Sequence, residues 1–581
     1  MRAMGIPEWL LALIISFFSD RKTRLRMPYL HVHIVSTKFY VDIGIPQGSP
    51  LSPILFTFFA ARIIDMFDEV DPKKERVFAL SYVDDTYIVV TSKEYATNCK
   101  LIEKWHQRVL EWAAPRGINF SPAKYSVMHF RKPGDRGEPY EGVPNIPNMT
   151  KDSLVKERLT KRKKRAVLRK KRKDPAARND DDDEEEEEEE EKLGGLRILG
   201  IQVDHKLTCA DHIDSRKVEA KMNSLRRLHQ STSGPVLHQM RKAYLTGVRS
   251  IISYGCPAWF LFGDSHMMKY HLTQALVDRL HSLQTQCLRM VAGAFSSTPG
   301  AVLQKELNIE PITVHLQRLA TCQRVRAIDG DDPGLMESLH NRFYSRHKSD
   351  KFDKQPYRVA YYYARAVASE VGIEYDHTTR TRNLKRPDFC RLDLMHRKTA
   401  ITKYVQRQST LFCAELWRDY CEQRQMSKSR ADFNRTPVAV KGKGGKESLN
   451  IHKDLTHAQS SILIQCRTGH IGLNSYLSWR KCPDVVTKMC PCRTGEHTVG
   501  HLFYACPDLQ EQRSQLPLKD FRGGKRTRNG MCTLEGLLTE GAAQASRWAI
   551  NHFGIQQFTW TSNHADFASF KDMVHAHQGG F

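Results

Sequence analysis

Two small sets of residues in this 581-residue chain have the types and spacing to do chemistry. The first is Asp84-Asp85, adjacent carboxylates inside VFALSYVDDTYIVVT, Val77 to Thr91. Carboxylates held that close repel unless a cation lies between them, and hard oxygen donors suit Mg2+ or Mn2+. The second set is Cys490, Cys492, His501 and Cys506 in MCPCRTGEHTVGHLFYACP. Three thiolates and one imidazole complete a tetrahedral zinc set, although the spacing departs from that of the common zinc knuckle. His497 competes for the imidazole place and Cys482 is a further thiol, so spacing alone leaves the quartet open. Each set also has a plainer reading. Asp is frequent in turns for local hydrogen-bonding reasons, and scattered cysteines are often simply buried.

The elements that must position these residues are legible around them. Val77 to Ser81 and Tyr87 to Thr91 are apolar and β-favouring, which puts the two aspartates at the tip of a hairpin. Upstream, Lys38 to Ile45 reads as a short strand entering GIPQGSPLSP, Gly44 to Pro53. A glycine there lets backbone approach a bulky ligand, and the prolines end the strand before a helix from Pro53 onward. Apolar spacing at Leu101, Ile102, Trp105, Val109, Leu110 and Trp112 predicts a helix over Glu94 to Ala113, packed across the hairpin. Trp9 to Phe18 is too short to span a bilayer and lacks a small-residue cleavage pattern, so it reads as a buried helix.

Charge narrows the partners. The net charge is +24, which favours a polyanion: nucleic acid or an anionic membrane surface. Lys156 to Lys173 carries twelve basic residues against one acid, and Asp180 to Glu191 is twelve acids in a row, so these runs nearly cancel and the excess belongs to the rest of the chain. Residues 133–192 have too little apolar surface to offset the entropy of ordering and read as a disordered charged insertion, whose basic run also fits a nuclear import signal. Fourteen cysteines without extracellular spacing point to a reducing compartment. With no membrane-spanning stretch, the expectation is an intracellular, nuclear protein with no membrane partner.

The PQGSPLSP turn opening a helix, followed by a Tyr-Val-Asp-Asp hairpin, resembles the palm of reverse transcriptases, in particular those of LINE-type (non-LTR) retrotransposons and most closely the fungal group. The resemblance implies an α+β fold: a right-hand polymerase palm, incomplete, with a helical thumb and a small C-terminal zinc-knuckle-like module. It also implies RNA-directed DNA polymerase activity on an RNA template, a DNA primer and deoxynucleoside triphosphates, with Mg2+ or Mn2+. Asp84 would ligate metal and Asp85 support the site. Gln47, Gly48, Ser49 and Tyr82 would contact nucleotide and template. Lys124, in GINFSPAKYSVMHF, would lie near the triphosphate, where a cation stabilises the leaving pyrophosphate.

Further segments extend the likeness. LRILGIQVDHKL, centred on Leu199-Gly200, resembles the strand pair that grips the primer, and Tyr254-Gly255 with Trp259 resembles a thumb element. LQTQCLRMVAGAFSSTPGAVLQKELNIEPI resembles the helical close of the polymerase region. HAQSSILIQCRTGHIGLN together with the Cys/His set resembles a zinc-bearing nucleic-acid module, with Arg467, His470 and Tyr504 as its contacts. The resulting division is partial palm 1–132, insertion 133–192, end of palm and thumb 193–319, a helical region of unknown role 320–455, the zinc module 456–510 and a tail 511–581. The aspartate of the family's first palm block has no counterpart here, and Asp42 and Asp65 do not occupy its place. The expectation is therefore an N-terminally truncated palm. The alternative to an active polymerase is a catalytically inactive element remnant that still binds nucleic acid. Asp388, Asp393 and Glu415 are isolated acids, and no RNase H activity is expected.

Overall fold

The computed structural model describes residues 2, 5–29, 32–41, 44–71, 73–131, 137–155, 195–213, 216–228, 233–261, 272–330, 356–376, 381–384, 392–426, 437–441, 445–516 and 532–558. The chain divides into two units, Met1–Leu196 with Asp204–Leu207, and Arg197–Val203 with Thr208–Phe581.

In the first unit, helix α1 (Glu8–Phe18) is followed by β1 (Lys22–Thr23), β2 (Arg26–Tyr29), β3 (Val32–Val35) and β4 (Phe39–Tyr40). β1 pairs with β4 and β2 with β3, both antiparallel. Then come α2 (Leu51–Asp68), β5 (Val77–Tyr82), β6 (Asp85–Val90) and α3 (Tyr95–Ala113). The core gathers Ile63 and Phe67 of α2, Val77 and Ala79 of β5, and Trp105 and Val109 of α3. These are the positions that the 3.6-residue period of a helix and the 2-residue period of a strand place on one face. The Phe67 and Trp105 rings lie 4.8 Å apart, and Trp105 Nε1 donates to Glu75 at 2.9 Å.

Three sequence expectations change here. α1 forms, but only Leu11 and Ile14 are buried, while Trp9 is 70% exposed and Ile15 62% exposed. Its all-round apolar character suggested burial because a sequence cannot show what surrounds a helix. The strand before the Pro-Gly turn shrinks to Phe39–Tyr40, and α2 starts at Leu51, with Pro53 in its first turn, where the backbone N–H that proline lacks is unneeded. Residues 137–155 pack as ordered structure: Tyr140 stacks on Tyr95 at 5.2 Å, His129 Nε2 lies 2.7 Å from the Gly142 carbonyl, and Ile146 is buried. The charged runs from Lys156 to Glu191 lie outside the described residues.

The second unit is mainly helical. Its largest core runs from Ile213 through the helices Gln274–Ala292 and Ile312–Asp329 to Ile464. A second core runs from Val438 to Phe558, and a smaller one joins Val325 and Ile328 to Ala364, Val367 and Ile401. The region 320–455 also holds an antiparallel hairpin, β9 (Ile373–Asp376) with β10 (Thr381–Leu384). The helices Gln274–Ala292 and His457–Thr468 meet closely at Gly293, whose φ of 58° caps the first helix. A Cβ there would stand 2.1 Å from Ser461 Oγ. The second core places residues 438–558 together, so the 456–510 module shares its interior with residues on both sides, including Trp548 and Phe553 from the stretch read as a tail.

Candidate active site and metal centre

The β5–β6 hairpin pairs Val77 with Val90 and ends on the pair Tyr82–Asp85, leaving Val83 and Asp84 as a two-residue tip. Alternation turns Val77, Ala79, Ile88 and Val90 toward the α2 and α3 core. Tyr82, Leu80, Asp85 and Tyr87 therefore share the opposite face. That face is open: Tyr82 is 62% exposed, and Asp84 and Asp85 are exposed. Asp85 Oδ2 lies 3.5 Å from the Tyr87 hydroxyl, two residues along the same face. Val83 sits at φ 53°, where a β-branched side chain is strained by about 1–3 kcal/mol. A valine in a two-residue hairpin tip was the signal for this strain, and the sequence reading passed over it.

The Pro-Gly turn is closed on itself. Ser52 Oγ donates to the Pro46 carbonyl at 2.7 Å, Ser49 Oγ accepts from Leu51 N at 3.3 Å, and Gly48 takes φ 92° with open space around its Cα. Gln47 and Gly48 are exposed and Ser49 is half-buried. Lys124 ends a short 3-10 turn, Pro122–Lys124, with its side chain exposed. Asp65 pairs with Arg62 on the surface of α2 at 3.4 Å, and Asp42 lies outside the described residues. Among the described residues, no third acid, histidine or cysteine joins Asp84 and Asp85 in a three-ligand group.

The Cys/His quartet does converge. One ligand atom from each of Cys490, Cys492, His501 and Cys506 lies within 4.8 Å of all the others. Cys492 Sγ is 3.1 Å from His501 Nε2, and Cys490 Sγ is 3.9 Å from Cys506 Sγ. A tight turn makes this possible: Arg493 N donates to the Cys490 carbonyl, Cys490 N donates to the Gly495 carbonyl, and Met489 bridges Glu496. Thr498 caps the helix Val499–Tyr504 that carries His501, and Cys506 N returns to the His501 carbonyl at 2.8 Å. A Cβ at Gly495 would stand 2.8 Å from His501 Nδ1, so a side chain there would displace the imidazole. Burial pushes the Cys490 and Cys506 thiols up. Burial would raise Cys492 too, but hydrogen bonds with Thr494, His501 and Cys490 bring it down to about 6. The rival imidazole is engaged elsewhere, since His497 Nδ1 accepts from Asn474 N at 3.1 Å. Cys482 is not part of the group.

Two further elements bear on the sequence reading. β7 (Leu196–Ile198) and β8 (Ile201–Val203) form the expected hairpin, with Leu199 at φ 49° and Gly200 at φ 88°. Positive φ at both tip residues is what the preferred two-residue turn requires. The Tyr254 hydroxyl donates to the Leu199 carbonyl at 2.8 Å, its ring lies over Gly200, and Trp259 Nε1 donates to the Tyr254 carbonyl at 2.9 Å. Arg467, expected as a nucleic-acid contact, is instead fully buried. Its guanidinium binds Glu306 through two bonds of 2.8 and 3.0 Å and the Leu538 carbonyl at 2.9 Å. A partner 161 residues away has no signature in the local pattern. The Tyr504 hydroxyl likewise turns inward, to the Cys532 carbonyl at 2.9 Å.

Comparison with known proteins now adds to this geometry. Residues 1–190 match the family model described as reverse transcriptase (RNA-dependent DNA polymerase), a stretch that contains the Pro-Gly turn, the hairpin and Lys124. No curated protein and no solved structure matches the chain. The first third of the chain is thus similar to reverse transcriptases, in a mixed α and β setting. Among the described residues, no helix is long and apolar enough to cross a membrane.

Proposed function

We propose that the chain is the reverse transcriptase region of a LINE-type retrotransposon of the fungal kind, extending a primer 3′ hydroxyl on an RNA template, and that it carries a zinc-bearing nucleic-acid module near its C-terminus. The observation that carries this reading is the hairpin that presents Tyr82 and Asp85 on an open face with Asp84 exposed in its two-residue tip, within the residues that match the reverse transcriptase family. Asp84 and Asp85 fit a hard divalent cation by donor chemistry, as adjacent exposed carboxylates. When bound there, Mg2+ or Mn2+ supplies charge neutralisation at the reacting phosphate. Gln47, Gly48, Ser49 and Tyr82 position nucleotide and template in this reading, and Lys124 holds positive charge toward the leaving pyrophosphate. Cys490, Cys492, His501 and Cys506 fit zinc: four soft or borderline donors, already mutually within 4.8 Å, in a closed structural set.

The second reading is a remnant that binds nucleic acid without polymerising, and one observation favours it: among the described residues the hairpin pair has no third ligand. Two-metal chemistry draws its carboxylates from more than one element. Primer extension on an RNA template with Mg2+ or Mn2+, beside the Asp84→Ala, Asp85→Ala double variant, separates the readings. Extension by the chain that is lost in the variant supports the polymerase. Salt-sensitive binding in both proteins without extension in either supports the remnant.

A further inference from the structure

We propose that Trp479, with Tyr476, His470 and Arg480, forms a stacking platform for single-stranded nucleic acid beside the Cys490 centre. This deepens the nucleic-acid part of the reading above and rests on it. Tyr476 and Trp479 stand three residues apart on the helix Asn474–Trp479, which puts both rings on one side of it. Their centroids are 5.9 Å apart. His470 lies 5.4 Å from Tyr476 and 6.2 Å from Trp479, while Phe295 backs Tyr476 at 5.6 Å. The inner members are pinned: Ser297 Oγ lies 3.0 Å from His470 Nδ1 and also bonds the Tyr476 hydroxyl.

The outermost ring is left to solvent. Trp479 is 65% exposed, whereas Trp105, Trp259 and Trp548 are at most 4% exposed. A large flat apolar surface held rigid on a fixed aromatic base loses little entropy when a nucleobase covers it. The surroundings select a polyanion. From His470 to His497 the chain carries Arg480, Lys481, Lys488 and Arg493 against Asp484 and Glu496; Glu496 pairs with Lys488 at 2.7 Å, and the Arg480 guanidinium lies 5.9 Å from the Trp479 ring centroid. Stacked bases joined by phosphates match a ring flanked by cations, and only an unpaired strand offers its base faces.

The Cys490 loop holds the platform in place. Asn474 N donates to His497 Nδ1, Asn474 Nδ2 donates to the Met489 carbonyl at 3.1 Å, and Ser475 N donates to the His497 carbonyl at 3.4 Å. The start of the platform helix is thereby tied to both ends of the Met489–His497 turn, which carries Cys490 and Cys492. Neither the local motif nor the quartet's spacing announces this, because Phe295 and Ser297 come from a distant part of the chain.

The test uses the full chain with fluorescein-labelled single-stranded RNA and DNA of one sequence, plus the corresponding duplex, titrated by anisotropy over a range of salt. Trp479→Leu keeps an apolar side chain and removes the ring, and Trp479→Phe keeps a ring. The expected result is single-strand binding weakened about 5- to 100-fold in W479L and largely retained in W479F, with an unchanged salt slope in both. Arg480→Ala lowers the salt slope by about one. Equal losses on RNA and DNA assign pure stacking, whereas a loss confined to RNA adds a 2′-hydroxyl contact. Both keep the platform. W479L binding like wild type, or losing duplex and single strand equally, overturns it. Zinc content and thermal midpoint, read on each variant, confirm that the fold is kept. A wild-type chain that binds no single strand removes the nucleic-acid reading itself, while primer extension, scored separately, reports on the polymerase.

Discussion

The hairpin carboxylates and the Cys490 centre place their ligands in opposite ways. Asp84 and Asp85 are neighbours in sequence and exposed, the first in the hairpin tip and the second in the first register pair of β6. The four Cys/His donors are spread from 490 to 506, half or fully buried, and the three cysteines belong to a core that extends from Val438 to Phe558. Adjacency makes the first site cheap to build and easy to alter without disturbing the fold. Convergence makes the second inseparable from the fold that gathers it. Chemistry and stability should therefore come apart at the hairpin and stay together at the Cys490 centre.

The largest effect that would break this comparison is metal removal. Structural zinc contributes on the order of 10 kcal/mol of folding free energy in small modules. A strong chelator, or Cys506→Ser, is expected to lower the thermal midpoint of the second unit by more than about 10 °C, followed by circular dichroism beside zinc content. Asp84→Ala with Asp85→Ala should leave the midpoint of the first unit, which contains them, unchanged. A chelator-insensitive midpoint in zinc-containing protein would remove the contrast.

Next comes Glu306→Gln. It leaves the fully buried Arg467 without its charged partner, and the expected loss is about 3–5 kcal/mol in denaturant unfolding. A loss under 1 kcal/mol would mean that Arg467 is held by the Leu538 carbonyl and packing instead.

Acid provides the third test. Burial would raise the Glu310 carboxyl, but bonding to His315, the Arg318 charge and a bond from Gln406 outweigh it and hold the group at about 2. The folded value lies below the unfolded one of 4.5, so this stabilisation is complete above pH 4.5 and disappears as pH falls toward 2. The contribution is about 3 kcal/mol, and Glu310→Gln should flatten that limb of a stability–pH curve. An unchanged limb would place the acid sensitivity elsewhere.

The smallest expected effect sharpens the hairpin side. Val83→Asn replaces a β-branched residue at φ 53° with one that tolerates the left-handed region, and should stabilise the first unit by about 1 kcal/mol. A destabilised variant would show that the Val83 side chain packs more favourably than its backbone angle suggests.

What was legible in the sequence was local. Alternation located the hairpin, although its tip is Val83-Asp84 and Asp85 opens β6 rather than sharing the tip; the Leu199-Gly200 pair marked its own turn, and the quartet was named in full, although only the structure removed His497 from contention by bonding it to Asn474 N. What stayed hidden depends on distant partners. The apolar pattern of α1 could not report how little covers it, and Arg467 looked like a surface cation because Glu306 lies far along the chain. The span 456–510 looked self-contained because a cysteine motif is read without the core beneath it. Trp479 was passed over for the converse reason, since a single aromatic at the end of a short helix has no pattern until Phe295 and Ser297 are brought against its neighbours.

The Tyr82–Asp85 pairing carries one more consequence. A strand has only two faces, so a slip of β6 by one place against β5 would exchange everything that it shows to solvent with everything that it hides. Asp85 would then point into the helices and Ile88 out of them. A residue added at the tip therefore keeps Asp85 on the open face only when it is absorbed as a longer loop, with the ladder left in register.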